Sequence, residues 1–203
     1  MQYRMEHDSL GEKKVPNEAY YGIKTVRAIE NFPITGIPIS EFPLLIKAIA
    51  SIKEAAAVTN KELGLLDAKI CDAIVRACHD VKSGELNRHF AVDVIQGGAG
   101  TSTNINANEV IANRALEYLG YKKGEYRYCH PNDHVNLSQS TNDVYPTTLK
   151  IAAIWSIEGL ISAMGRLQDT FAIKGEEFKN VLKIGRTQLQ DAVPMTLGQE
   201  FTA

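Results

Sequence analysis

From Pro146 to about Phe171 the chain carries a helical pattern that leaves little of the helix for solvent. Ile154, Ile157, Ile161, Met164 and Phe171 alternate three- and four-residue steps, which gathers them into one apolar stripe. Gly159 and Gly165 permit close approach of a neighbour, and Ile151, Ala152, Ala153 and Trp155 add apolar surface on other sides. A helix that is apolar nearly all round belongs inside a bundle, and the other segments supply too few helices to enclose it. The expectation is a mainly α architecture: a small N-terminal helical domain with a short hairpin, then the first part of a long-helix bundle. The chain then reads as a piece of something longer, whose further helices and neighbouring subunits bury this surface. The final Phe201-Thr202-Ala203, inside an element without a cap, agrees with that.

Charge sets the class of partner. The 203 residues carry 22 basic and 24 acidic side chains, interspersed, for a net charge of -2. Such a surface has no footprint for nucleic acid or an anionic membrane, so small molecules and proteins are the expected partners. The opening MQYRMEHDSLGEKK lacks an apolar leader core and no stretch is long and uncharged enough to span a bilayer, which reads as cytoplasmic. Cys71, Cys78 and Cys129 lack CxxC spacing, which argues against a disulfide framework or structural zinc. Cys71 and Cys78 share a helix face and, despite the adjacent His79, read as buried small hydrophobes.

Along the chain, short extended runs flank Ser9-Leu10-Gly11 as in a hairpin, and a helix could start at Pro16-Asn17. Leu45, Ile49, Ile52 and Ala56 mark a helix closed by Leu63-Gly64. Asp67 caps the next, with Ile70, Ile74, Cys78 and Val81 as its stripe and Ser83-Gly84 as its end. The apolar run Phe90 to Ile95 leads into Gln96-Gly97-Gly98-Ala99-Gly100-Thr101-Ser102-Thr103 and a helix from about Asn104 to Leu119. A polar connector from Gly124 to Asn142 ends the first domain, giving domains of 1–142 and 143–203. Val181 to Thr187 reads as extended, and residues 188–194 as a connector to a last helix start.

Three clusters of neutral donors lie at helix mouths. The Gly-rich turn has glycines that let the backbone approach a ligand and hydroxyls at Thr101, Ser102 and Thr103; it either binds an anion or merely turns and caps the chain. It is not a nucleotide loop, since GxxxxGK[ST], the last small residue of the dinucleotide fingerprint and a second parallel strand are all missing. Ser140-Thr141-Asn142-Asp143 and Gly185-Arg186-Thr187-Gln188 are the other two, each with a plain turn-and-cap alternative. Together they suggest a site that grips carboxylates from several segments. Asn106, Glu109 and Asn113 share a face of the helix between them, which either lines or supports a polar site or is simply solvated.

GGAGTSTNINANEVIANRALE, HPNDHVNLSQSTNDVYPT and GRTQLQDAVPMTLGQEF resemble three blocks of the fumarase and aspartase superfamily in order and spacing, and AYYGIKTVRAIENFPI resembles its N-terminal approach. GGAGTSTNINANE, SQSTND and Gln188 resemble the aspartase branch more than class II fumarases, which carry a histidine where Gln188 stands. The resemblance implies cofactor-free elimination of ammonia from L-aspartate to give fumarate. It implies substrate contacts at Thr101, Ser140, Thr141, Asn142, Thr187 and Gln188, with Thr101, Ser140 and Thr141 at the β-carboxylate. His130, Asn132 and Asp133 resemble the loop of a second anion site, local structure being the alternative. It also implies a homotetramer with active sites built from three subunits, and a base on a GSSxMPxKxNP serine loop absent from these residues. No metal ligand is implied. The alternatives are a class II fumarase, losing water instead, and a non-catalytic oligomerisation fragment.

Overall fold

The computed structural model describes residues 2–96 and 98–202. It is mainly helical, with two antiparallel hairpins, and divides into two compact units, Met1–Ala153 and Ile154–Ala203.

In the first unit β1 (Tyr3–Asp8) pairs with β2 (Gly11–Pro16), the turn falling at Ser9-Leu10 as expected. Helix α1 (Ile23–Asn31) starts later than Pro16-Asn17 suggests, and the reason is electrostatic. It has no acidic residue in its first turn and no side-chain cap of its own. Two carboxylates from elsewhere fill that place: Glu6 of β1 accepts from Ile23 N at 2.8 Å, and Glu109 accepts from Gly22 N, Lys24 N and Thr25 N at 2.8–3.0 Å. Unpaired N–H groups and the positive dipole end favour both. Gly22 makes room, since a Cβ there would stand 2.7 Å from Glu6 Oε2 and 2.9 Å from Glu109 Cδ.

Helices α2 (Pro43–Glu62) and α3 (Ala68–Ser83) form the expected helical hairpin. Asp67 Oδ1 accepts from Lys69 N at 2.8 Å and Ile70 N at 3.3 Å, and Gly84 ends α3 at φ 92°. Cys71 and Cys78 are buried in the shared core, where burial pushes both thiols up. The buried face of α2 is rotated from the expected stripe: Ile46, Ile49, Ala50, Lys53, Ala57 and Asn60 point inward, while Leu45, Ile52 and Ala56 lie at its margin.

Helix α4 (Thr101–Tyr118) packs on this pair and is buried over most of its length. A π-helical turn, Pro131–Val135, precedes α5 (Thr141–Glu177), which contributes residues to both units. Pro146 falls inside α5 instead of ahead of it. Lacking an N–H, it leaves the Asn142 carbonyl without its intrahelical donor, a tolerable loss near a helix start.

In the second unit Ile154, Ile157, Leu160, Ile161, Met164 and Leu167 of α5 are all about half exposed or more, the apolar surface the sequence pattern marks. After α5 the structure corrects the sequence reading. Residues 188–194 are not a connector: β3 (Leu182–Thr187) and β4 (Gln190–Thr196) form a hairpin before α6 (Leu197–Phe201). A capping box at Thr196 and Gln199 starts α6. Phe201 packs against Phe171 and Phe178 of the same unit. Among the described residues no helix is long and apolar enough to cross a membrane.

Candidate active site

Helix α4 begins at Thr101, three residues before the expected Asn104, so Thr101, Ser102 and Thr103 form its first turn. Gly100 is the N-cap at φ 85°, a left-handed conformation that glycine adopts without steric cost. It has no side chain to cap with, and Gln96 acts in its stead: Oε1 accepts from Ser102 N and Nε2 donates to Thr103 Oγ1. Gln96 therefore occupies Ser102 N and Thr103, while Thr101 stands exposed at the helix mouth.

The second donor cluster is the start of α5. Ser140 caps it, its Oγ accepting from Asn142 N at 3.2 Å and its carbonyl accepting from Val144 N at 3.0 Å. Thr141 Oγ1 accepts from Asn104 Nδ2 at 3.1 Å. A hydroxyl that already accepts has its own hydrogen left to donate. Ser140 and Thr141 thus each present an O–H suited to an anion.

The two helix starts are neighbours. Besides the Asn104–Thr141 bond, Gly100 lies so close to Tyr145 that a Cβ would stand 2.1 Å from the ring's Cγ. Thr101 and Ser140–Asn142 accordingly belong to one region of the first unit. Thr187 and Gln188 belong to the second unit, and the expectation that they immediately precede a helix is corrected. They sit exposed at the tip of the β3–β4 hairpin, where Gln188 at φ 49° and Leu189 at φ 65° make the two-residue turn between the paired Thr187 and Gln190. Positive φ at both central residues is the primed-turn geometry, unusual for residues that are neither glycine nor asparagine.

The face of Asn106, Glu109 and Asn113 is not solvated, although Glu109 lines a cavity of about 260 Å³. All three are buried. Asn106 Nδ2 donates to His89 O at 2.9 Å, and Asn113 donates to Tyr20 O at 2.7 Å while accepting from Gly124 N at 2.8 Å. Burial raises the Glu109 carboxyl against the pull of its backbone donors. These side chains pin connecting segments to α4 through otherwise unpaired main-chain groups.

His130, Asn132 and Asp133 form a local cap. His130 Nδ1 accepts from Asn132 N at 3.3 Å and Asp133 N at 3.1 Å, and stands 3.2 Å from Asp133 Oδ2. His130 also lines a cavity of about 260 Å³ with His7, Lys24 and Tyr126, which Asn132 and Asp133 do not line. Among the described residues no group of three or more His, Cys, Asp or Glu is placed to hold a metal ion.

Sequence reasoning missed the support behind this region. Lys53, Asn60, Asn136 and Gln139 form a hydrogen-bonded cluster under the segment before Ser140. No signal in the sequence marks Lys53, which lies off the stripe of Leu45, Ile49, Ile52 and Ala56.

The two helix mouths thus bring neutral donors together beside the buried Asn104. Residues 11–203 match the Lyase family, and the chain belongs to it. It is 58% identical to the aspartate ammonia-lyase of Helicobacter pylori over 198 residues, 98% of this chain and 42% of that protein. To the aspartate ammonia-lyase of Escherichia coli K12 it is 53% identical over 201 residues, again 98% and 42%. The chain thus spans under half the length of these relatives. A crystal structure of a fumarate lyase:delta crystallin from Brucella melitensis superposes with a TM-score of 0.93 at 55% identity, covering 98% of this chain and 46% of that one. A class II fumarase from Schistosoma mansoni gives a TM-score of 0.86 at 42% identity, covering 99% and 42%.

Proposed function

We propose that the whole protein to which these residues belong is an aspartate ammonia-lyase, eliminating ammonia reversibly from L-aspartate to give fumarate. Thr101, Ser140, Thr141, Asn142, Thr187 and Gln188 are the proposed substrate contacts, with Thr101, Ser140 and Thr141 at the β-carboxylate. What supports this is the 58% and 53% identity to the aspartate ammonia-lyases of Helicobacter pylori and Escherichia coli K12, together with the Asn104–Thr141 hydrogen bond at 3.1 Å, which occupies Thr141 Oγ1 as an acceptor and leaves its hydrogen to donate.

The chemistry requires such donors. Removing the proton next to the β-carboxylate places extra negative charge on its oxygens, and hydroxyls aimed there hold the transition state more tightly than the ground state. The C–N bond of the adjacent carbon then breaks and ammonia leaves. Gln188 has no proton to exchange near neutral pH, so its role is binding. The base is proposed to come from a serine loop outside these residues, and the chain alone is expected to leave aspartate unchanged. A homotetramer in the cytoplasm, with the division between domains at 142/143, completes the proposal. His130, Asn132 and Asp133 are proposed as a second anion site or a purely local cap.

The test is Thr141→Val in the whole protein. Loss of one such donor costs about 2.7–4 kcal/mol in activation free energy, a fall of roughly 100- to 1,000-fold in kcat. Unchanged kinetics for Thr141→Val and for Thr187→Val would remove both residues from the site. The alternative of a class II fumarase is favoured by the fold likeness to the Schistosoma mansoni protein. Against it stand Gln188 and the GGAGTSTNINANE and SQSTND segments.

A further inference from the structure

Lys53 lies in the middle of α2 with 0% of its surface exposed. Among the described residues no carboxylate pairs with it. Its hydrogen-bond partners are two neutral amide oxygens, Asn136 Oδ1 at 2.8 Å and Gln139 Oε1 at 2.9 Å. Burial pulls the ammonium down to about 7. A buried cation held only by amides is an expensive way to fill a core, since an apolar side chain of the same length is often neutral or stabilising.

What the lysine grips suggests why it is there. Asn136 Oδ1 also accepts from Asn104 Nδ2 at 3.1 Å and Asn108 Nδ2 at 3.2 Å, so donors from α2 and α4 converge on one oxygen. Asn136 Nδ2 donates to Gln139 O at 3.0 Å, and Gln139 Nε2 donates to Val135 O at 2.9 Å. From α2, Asn60 Nδ2 adds a bond to Leu137 O at 2.9 Å. Inside this clamp Ser138 is held at φ 60°, a conformation that a serine keeps only when its surroundings impose it. Ser140 and Thr141 follow two and three residues further along the chain. Asn104 closes the circuit by donating to both Asn136 and Thr141. Among the described residues no partner reaches the buried Asn104 Oδ1 or Asn108 Oδ1, and the amide nitrogens of both side chains turn to Asn136.

We propose that Lys53 is a positioning residue for the carboxylate-binding segment Ser140–Asn142: its buried ammonium pins Asn136 and Gln139 and thereby sets where the Ser140 and Thr141 hydroxyls stand. The inference rests on the reading of Ser140–Asn142 as substrate contacts. Lys53 itself touches no substrate. It accepts a cost in stability to hold a strained turn in one geometry.

The experiment separates positioning from bulk structure by measuring stability and kinetics on the same variants of the whole protein. Lys53→Met keeps the length and removes the charge. It is expected to melt no lower than the wild type at about pH 6. At the same time kcat/KM for L-aspartate is expected to fall about ten-fold or more, and the competitive inhibition constant of succinate, an unreactive four-carbon dicarboxylate, to rise. Gln139→Leu breaks the same clamp from the half-buried side, so it serves even if Lys53→Met fails to fold, and it is expected to lose activity to a similar extent. The double variant should lose no more than the worse single one. Asn113→Ala, which unpins a connector elsewhere, should lower the melting temperature and keep kcat/KM. The proposal is overturned if Gln139→Leu keeps its kcat/KM, if Lys53→Met loses activity only in step with melting temperature, or if the two losses multiply. A wild type that neither turns over aspartate nor binds succinate overturns instead the reading of the site.

Discussion

Two glycines of the same turn provide an internally controlled perturbation. Gly98 and Gly100 both sit at φ 85°. A Cβ on Gly98 finds only Thr101 Oγ1 at 3.7 Å, ordinary contact, whereas one on Gly100 meets Tyr145 ring atoms at 2.1, 2.3 and 2.5 Å. Gly98→Ala therefore carries the left-handed backbone cost alone, about 1–2 kcal/mol. Gly100→Ala carries that cost and must also displace a packed ring, adding about 1–3 kcal/mol, for a total of roughly 2–5 kcal/mol. Urea denaturation of the two variants, compared at constant slope, measures the difference. Tyr145→Ala removes the obstacle, so the Gly100→Ala/Tyr145→Ala pair should be strongly non-additive and recover the ring's share. Because Tyr145 lies one turn beyond Thr141, Gly100→Ala is also expected to lower kcat/KM more than Gly98→Ala does. Equal destabilisation by the two alanines, or no relief from Tyr145→Ala, would refute the close packing of the α4 and α5 starts.

Other expectations follow from single contacts. Asp67→Ala removes a cap bonded to Lys69 N and Ile70 N and should cost about 0.5–2 kcal/mol by urea denaturation without changing kcat/KM. Lys53, drawn from 10.5 to about 7 by burial, makes stability pH-dependent. Below about pH 7 both folded and unfolded chains hold its proton and the burial cost is fully present; above it the unfolded chain alone keeps the proton. Stability of the wild type relative to Lys53→Met should therefore rise with pH from about 7, by up to about 1.4 kcal/mol per unit. A gap between the two that stays flat from about pH 6 to 9 would contradict the burial of a titrating lysine.

The helices were legible because periodicity and caps carry local information. Asp67 and Gly84 bound α3 as read, and Cys71 and Cys78 pack as apolar residues. The β3–β4 hairpin was hidden because its turn is Gln188-Leu189, without the asparagine or glycine that advertises a primed turn, and because Pro194 stands inside β4. The start of α4 was misplaced because its cap comes from Gln96, outside the helix, and not from the residue beside it. Asn106, Glu109 and Asn113 announced an unusual helix face, but their partners at His89, Gly22 and Tyr20 are distant in sequence, so clamping could not be told from ligand binding. The donor clusters themselves were readable as motifs. Lys53 was not, since nothing in a helical stripe tells a buried lysine from a margin residue until Asn136 and Gln139 are placed against it.

The measurement that bears most directly on the account is the ultraviolet absorbance of fumarate when the whole protein is mixed separately with L-aspartate and with L-malate. Rapid appearance of fumarate from aspartate, with none from malate, is the predicted result. Fumarate formed from malate but not from aspartate would contradict the ammonia-lyase assignment while leaving the lyase family in place.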